Sequence, residues 1–381
     1  EMCIRDSHLA VENRVTVIDQ NPHLVENIIN IYDVMGVCGN GASYDVQKEA
    51  DVEQADLLIA TTSSDEINIL TCLVAKKMGV QHTIARIRSP EYGRQLRFMR
   101  SELGLSMAIN PEAATAREIA RVLRFPTAMK LESFSKGRLE LVEYRVAEHT
   151  ALDGTRLSEL YRNFKVRVLI CAVARQGETI IPSGDFTLRA GDKIYLTAAP
   201  RELEKFFRLL GVFRARASSV MIVGASKMCY YLASELLEMG MSVKIIDQNE
   251  QRCVEMSEKL PRALVIVGDG TDSELLSEEG ISQTDAFVAI TGLDEANILM
   301  ALSAAKQSGD CCKVVAKINR KSLLELVSTE SLIDSVVSTG AVTTELILQY
   351  IRAMKNASAS KVKTLHRIVD EKVEALEFSV T

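Results

Sequence analysis

No stretch of the 381-residue chain approaches the roughly 20 apolar residues that a membrane-spanning helix needs; Val166–Ala174 and Leu57–Ala60 stop after one strand's length. The chain is therefore not expected to cross a bilayer. Its start, Glu1-Met-Cys-Ile-Arg-Asp-Ser7, has neither an apolar core nor a small-residue cleavage site, so no secretion signal is read there and the cytosol is the expected compartment. Clustered cations are missing too, because the charges are interspersed and the formal net charge is −6. A surface that grips a phosphate backbone needs such clusters, and nucleic acid is not an expected partner. The eight cysteines include no Cys-x-x-Cys pair and the five histidines stand one by one. Metal-ligand spacing is absent, and the thiols are expected to be reduced and packed. Cys311-Cys312 reads as a structural pair, a redox sensor being the alternative.

With apolar residues at 47%, several globular domains are expected, each large enough for its own core. What organises them is repetition: Val15-Thr-Val-Ile-Asp-Gln-Asn21 returns as Val243-Lys-Ile-Ile-Asp-Gln-Asn249. Asp19 with Asp247, Asp65 with Asp294 and Asn68 with Asn297 share one separation to within a residue. Whole domains are duplicated, not one heptapeptide.

The first copy alternates strands (Val15–Ile18, Met35–Cys38, Leu57–Thr61, Thr83–Ile87) with helices (Pro22–Ile31, Tyr44–Glu49, Asp65–Lys77). The second repeats the order with strands Val220–Val223, Val243–Ile246, Ala263–Val267, Ala286–Ile290 and Lys313–Ile318 and helices Lys227–Glu238, Glu250–Lys259 and Asp294–Gln307. Strand–helix alternation of this kind predicts an α/β fold with a doubly wound parallel sheet. Between the copies, strands Lys130–Phe134, Leu139–Val146, Val166–Ala174 and Lys193–Thr197, a short helix Leu157–Asn163, and turns at Ser135-Lys-Gly137, Gln176-Gly177 and Ala190-Gly191-Asp192 predict a small α+β domain. Ala353–Ala359 reads as a linker, and Lys361–Thr381 as the start of a second small domain. The expected domains are thus 8–128, 129–212, 218–352 and 361–381. The first copy opens on His8-Leu-Ala-Val-Glu-Asn13, without the strand and glycine turn that begin the second, so a fragment truncated at both ends is expected, its first seven residues foreign to it. A purposeful deletion is the alternative, and it would leave a sheet edge exposed.

An acid that closes the second strand of a βαβ unit can accept both ribose hydroxyls of an adenosine and would repel a 2′-phosphate, which directs Asp19 and Asp247 to NAD-type or adenine nucleotides. The alternative is that each merely caps the next helix. Gly224-Ala225-Ser226-Lys227-Met228-Cys229 keeps the first glycine of G-x-G-x-x-G but has Ser226 and Cys229 in place of the others. A weakened phosphate cradle, with Lys227 adding charge, stands against a structural relic. Gly39-Asn40-Gly41 and Gly268-Asp269-Gly270 follow the third strands, where small residues let an adenine approach; a turn needing positive φ explains them equally. Thr62 and Thr291 are read as lining the site, and Asp65 and Asp294 as stabilising helix starts. Arg86, Arg88 and Lys317 can reach a phosphate from the fifth strands, a plain surface charge being the other reading, above all for Arg88. No histidine recurs in both copies and no Ser–His–Asp or Cys–His arrangement is visible, so hydride transfer lacks an obvious proton donor.

The doubled Ile-Asp-Gln-Asn, Gly39-Asn-Gly41 with Gly268-Asp-Gly270, the doubled Asp-Glu-x-Asn, Ala85-Arg-Ile-Arg-Ser-Pro-Glu-Tyr92 and Leu188-Arg-Ala-Gly-Asp-Lys-Ile-Tyr195 together resemble the family of regulators of potassium conductance, and within it the nucleotide-binding peripheral subunits of Trk-type potassium uptake systems. The resemblance spans nearly everything after Ser7. It implies two Rossmann-like domains, each followed by a small C-terminal domain. It also implies NAD(H) or ATP/ADP as ligand, self-association into a ring on the cytoplasmic face of the membrane, and a Trk- or Ktr-type potassium-translocating subunit as partner. By residue, Asp19 and Asp247 match the ribose acids and Gly224 the first cradle glycine. A nicotinamide-dependent dehydrogenase with a duplicated Rossmann domain and a pure scaffold are the readings from other classes.

Overall fold

The computed structural model describes residues 13–92, 103–124, 130–134, 139–148, 150–211, 217–309, 312–327, 333–356, 362–368 and 373–378. It divides into two compact units. One comprises residues up to 117 with 225–232 and 337–348, the other 118–224, 233–336 and 349 onward. Each is described by itself.

In the first unit, β1 (Thr16–Asp19) pairs in parallel with β2 (Met35–Cys38), and β3 (Leu57–Ala60) with β4 (His82–Arg86) and β5 (Met107–Ile109). Helices α1 (Pro22–Tyr32), α2 (Tyr44–Glu49) and α3 (Asp65–Lys77) connect the first four strands, and α4 (Pro111–Arg124) follows the fifth. Asn21 starts α1 by accepting from His23 N and Leu24 N, with Pro22 at the first helical position, where its missing N–H costs nothing. Ser64 caps α3 by accepting from Ile67 N. The segment before residue 13, where the missing first strand is expected, and the turn at Ser135-Lys-Gly137 lie outside the described residues.

The second unit carries the antiparallel sheet of the small domain in the order β6-β7-β10-β8-β9: β6 (Lys130–Phe134), β7 (Leu139–Arg145), β8 (Leu169–Arg175), β9 (Glu178–Ile180) and β10 (Lys193–Ala198). Helices α5 (Leu160–Phe164) and α6 (Pro200–Leu209) cover one face. Leu203, Phe206 and Phe207 recur at helical spacing on α6 and are buried with Tyr144, Phe164 and Leu196. Gln176 and Gly177 turn the β8–β9 hairpin with φ of 51° and 82°.

Its other sheet has the order β13-β12-β11-β14-β15-β16, with β11 (Ser219–Val223), β12 (Ser242–Asp247), β13 (Leu264–Val267), β14 (Ala286–Ala289) and β15 (Lys313–Lys317) paired in parallel and β16 (Ser335–Val337) at the edge. Helices α7 (Lys227–Glu238), α8 (Glu250–Lys259), α9 (Ser273–Glu278), α10 (Asp294–Ser308), α11 (Lys321–Val327) and α12 (Thr339–Asn356) intervene or follow. Strands β11 and β14 are buried almost throughout because helices cover both faces. The order reverses between β11 and β14, the kind of switch point at whose carboxyl edge open α/β sheets generally bind ligands. By repeat, β1 and β3 correspond to β12 and β14, the two neighbours of β11. Among the described residues β1 and β3 belong to separate sheets.

One expectation changes. Helix α12 runs to Asn356, so residues 353–356 continue a helix rather than begin a linker, as Ala, Met and Lys are good helix formers. After it, β17 (Val362–Ile368) and β18 (Val373–Phe378) form an antiparallel hairpin, and Val373 packs against Leu141, Ala172 and Tyr195 on the face of the small sheet opposite the helices.

Candidate functional site

The second copy gathers its predicted residues along one carboxyl edge. Asp247 closes β12, Gly268–Gly270 follows β13, Gly224 follows β11, Thr291 follows β14 and Lys317 closes β15. Gly224 has φ of 111°, and a Cβ there would stand 3.0 Å from Thr291 N and 3.1 Å from the Ile290 carbonyl. Two backbones meet at this point, which only glycine allows. Ser226 Oγ accepts from Cys229 N at 3.4 Å, so the serine at the second cradle position starts α7. Cys229 at the third is fully buried. Lys227 is exposed.

Asp19 and Asp247 are not helix caps. Each uses Oδ1 to accept from the backbone N–H two residues on, Asn21 N and Asn249 N, both at 2.8 Å. The asparagines do the capping, Asn249 accepting from Arg252 N at 2.9 Å. Each carboxylate therefore anchors the cap. Both acids are half-buried at the sheet edge.

The paired glycine loops also differ from the turn reading. None of Gly39, Gly41, Gly268 and Gly270 has positive φ. Crowding favours glycine at three of them instead: a Cβ on Gly270 would lie 2.3 Å from Val223 Cγ1, one on Gly268 2.5 Å from Leu275, and one on Gly39 2.7 Å from Val46, whereas one on Gly41 would meet only ordinary contacts at 3.9 Å. Between them, Asn40 Oδ1 accepts from Ala42 N, and Asp269 Oδ1 accepts from both Thr271 N and Thr271 Oγ1. Those bonds from Thr271, with one from Gln248, hold the Asp269 carboxyl below its ordinary range.

Thr62 and Thr291 stand where expected, at the ends of β3 and β14, but their hydroxyls bond within the turn, to Ser64 O at 3.2 Å and to Asn297 Oδ1 at 2.7 Å. The organiser is the asparagine of Asp-Glu-x-Asn, fully buried in both copies. Asn68 Oδ1 accepts from Thr62 N while its Nδ2 donates to the carbonyls of Thr62 and Arg86. Asn297 does the same with Thr291 N and the carbonyls of Thr291 and Lys317. It ties the ends of neighbouring strands together. Sequence reading used these asparagines only to measure the repeat; a polar residue at an apolar helical position was the signal for more.

Asp65 and Asp294 act beyond their own helices. Asp65 Oδ2 accepts from Arg88 N and Ser89 N, and Asp294 Oδ2 from Asn319 N and Arg320 N, all at 2.8–3.0 Å. They fasten the loops after β4 and β15. Arg88 is accordingly no plain surface charge: it donates to Ser63 O and lies 3.9 Å from Asp65. Arg86 Nη2 donates to Thr62 O at 2.6 Å, across the ends of β3 and β4.

Further along, Tyr231 of α7 donates to Arg88 O at 3.1 Å and accepts from Asn110 Nδ2 at 2.9 Å. Glu66 accepts from Ser64 Oγ and Tyr92 Oη at 2.6 and 2.7 Å, which lowers its pKa to about 2.

The TrkA-N domain matches residues 6–111 and again 220–339, and the TrkA-C domain matches 141–211. The Trk system potassium uptake protein TrkA homolog of Archaeoglobus fulgidus is 31% identical over 93% of this chain and 80% of its own. This chain belongs to the TrkA family. Among solved structures, the GsuK RCK domain superimposes with a TM-score of 0.70 at 20% identity, over 96% of this chain and 77% of that one. The GsuK channel bound to NAD gives 0.69 at 21%, over 96% and 64%. These two likenesses concern the fold. In this TrkA-family chain, no group of His, Cys, Asp and Glu among the described residues is arranged to hold a metal ion, and no helix there is long and apolar enough to cross a membrane. The described cysteines form no disulfide. Cys312 is buried, its thiol pushed up to about 11 by desolvation, against a redox-sensing role for that residue; Cys311 lies outside the described residues.

Proposed function

We propose that this chain is a nucleotide-binding regulatory subunit of potassium transport, acting from the cytoplasmic face on a potassium-translocating membrane subunit of the Trk or Ktr type. The observation that carries the reading is the duplicated acid-and-glycine edge: Asp247, Gly224 and Gly268–Gly270 along one carboxyl edge of a sheet, with Asp19 and Gly39–Gly41 in matching places. The kinship to Trk system uptake proteins supports the potassium-transport role, and the NAD-bound GsuK channel shares the fold.

The residues suit an adenosine. An acid closes β1 and its counterpart β12, the place from which a carboxylate accepts ribose hydroxyls, and glycine at 224 lets two backbones meet beside β12. In the second copy Asp247, Gly224, Ser226, Lys227, Gly268, Asp269, Gly270, Thr291 and Lys317 would hold the nucleotide. In the first copy Asp19, Gly39, Asn40, Gly41, Thr62 and Arg86 would do so. NAD(H) is the preferred ligand and ATP or ADP its competitors. The bound group supplies binding energy and no bond chemistry. Ligand binds one geometry of a ring of such chains better than another, and a coupling of about 1–3 kcal/mol changes gating several-fold or more. The domains of this reading are 8–128, 129–212, 218–352 and 361–381.

Potassium flux through the membrane subunit, reconstituted in vesicles with this chain, tests the reading. NADH or ATP should change the flux, and Asp19→Ala with Asp247→Ala should abolish the change. A flux indifferent to both nucleotides would remove the proposal.

A further inference from the structure

In the first copy, the peptide joining Gly41 to Ala42 is held from both sides. The Gly41 carbonyl accepts from Gln47 Nε2 at 2.7 Å, and the Ala42 N–H donates to Asn40 Oδ1 at 3.0 Å. The same Nε2 also donates to Thr71 O at 3.0 Å, tying the loop to α3. Gln47 lies on α2 and is fully buried, and its Oε1 has no hydrogen-bond partner. Both bonds run to carbonyls, which fixes the orientation of the amide, because an oxygen turned toward them could not donate.

The second copy shows what the fold needs at this place. Its counterpart of Gln47 is Leu276, fully buried in an apolar cluster with Val223, Phe287 and Met300. The corresponding peptide, Gly270–Thr271, is held through its N–H by Asp269, and a leucine offers no donor to the carbonyl side. An apolar residue therefore suffices for packing, whereas a buried amide with an unmet acceptor works against stability. What glutamine adds is control of one peptide in the loop that follows the third strand.

We infer that Gln47 is a positioning residue of the first nucleotide site, setting the Gly41–Ala42 peptide so that the Gly39–Gly41 loop keeps the shape an adenine ring requires. This rests on the nucleotide-binding reading above. The two sites of the duplicated chain are consequently not equivalent: the first depends on a buried amide, the second on Asp269 and close packing at Gly270.

NADH and ATP, each titrated calorimetrically into the full chain carrying Asp247→Ala, report on the first site alone. Adding Gln47→Leu, the residue the second copy uses, or Gln47→Met should weaken binding roughly three- to tenfold, the worth of one neutral hydrogen bond. The thermal midpoint should stay the same or rise. Asp19→Ala in the same background should abolish binding. Unchanged affinity in both Gln47 variants, with binding still lost in Asp19→Ala, overturns the role of Gln47 and leaves the site standing. An affinity loss that in both variants accompanies a lowered midpoint counts against it as well, since damage to the fold would explain it. If the Asp247→Ala chain binds neither nucleotide, the first site itself falls and the inference with it.

Discussion

At Asn297 one buried amide serves Thr291 N, Thr291 Oγ1 and the carbonyls of Thr291 and Lys317. Asn297→Ala leaves several of these buried groups unpaired and should cost about 2–4 kcal/mol in urea unfolding, with Asn68→Ala behaving alike. Glycines separate by what surrounds them. Gly270→Ala sets a Cβ 2.3 Å from Val223 and should cost about 1–3 kcal/mol, whereas Gly292, with nothing within 4 Å, should accept Ala within about 0.5 kcal/mol. Glu66 provides a pH test. Its carboxyl is held at about 2, chiefly by Ser64 and Tyr92, so the folded state binds this proton more weakly than the unfolded chain. The stabilisation is fully present above the ordinary glutamate value of 4.5 and fades as pH falls toward about 2. Glu66→Gln should flatten that part of the acid-unfolding profile; an unchanged slope would show that the contact is not kept in solution. At this scale the candidate ribose acids were legible because they recur beside identical neighbours. The asparagines' task was not, because the carbonyls they join come from strands remote in sequence.

Among elements, the Leu188-Arg-Ala-Gly-Asp-Lys motif owes its form to Asp192, buried and bidentate with Arg175 at 2.7 Å on both oxygens and also accepting from Arg189 N. Removing one partner strands a buried charge, so Arg175→Ala should cost about 3 kcal/mol in chemical unfolding. Tyr231→Phe removes the hydroxyl bonded to Arg88 O and Asn110, which should lower stability by about 1 kcal/mol without altering far-ultraviolet circular dichroism. Most elements could be placed from sequence to within a residue or two. Apolar strands of the parallel sheets and helices with Asn or Ser caps announce themselves, as α1, α3 and α8 do. What escaped includes the short β5, β9, β16 and α9, α6 with charges between its buried leucine and phenylalanines, and the helices α4, α11 and α12, which the repeated motifs do not reach. The end of α12 was hidden by small polar residues that suit a helix and a linker alike.

For the whole molecule, duplication was the most legible property, since two copies of one pattern fix the domain type even where each motif alone is modest. The separate histories of the two copies were harder to read. Only the placed side chains show that the first loop is pinned by Gln47 and the second by Asp269, and that Ser226 serves α7 rather than leaving a glycine's open backbone. The central claim is that the paired edges bind an adenine nucleotide, and calorimetric titration of NADH into the intact chain, beside Asp19→Ala, Asp247→Ala and the double variant, tests it most directly. Binding by the intact chain, reduced in each single variant and absent in the double, is the predicted result; a chain that takes up no NADH, or a double variant that binds as the intact chain does, would contradict it.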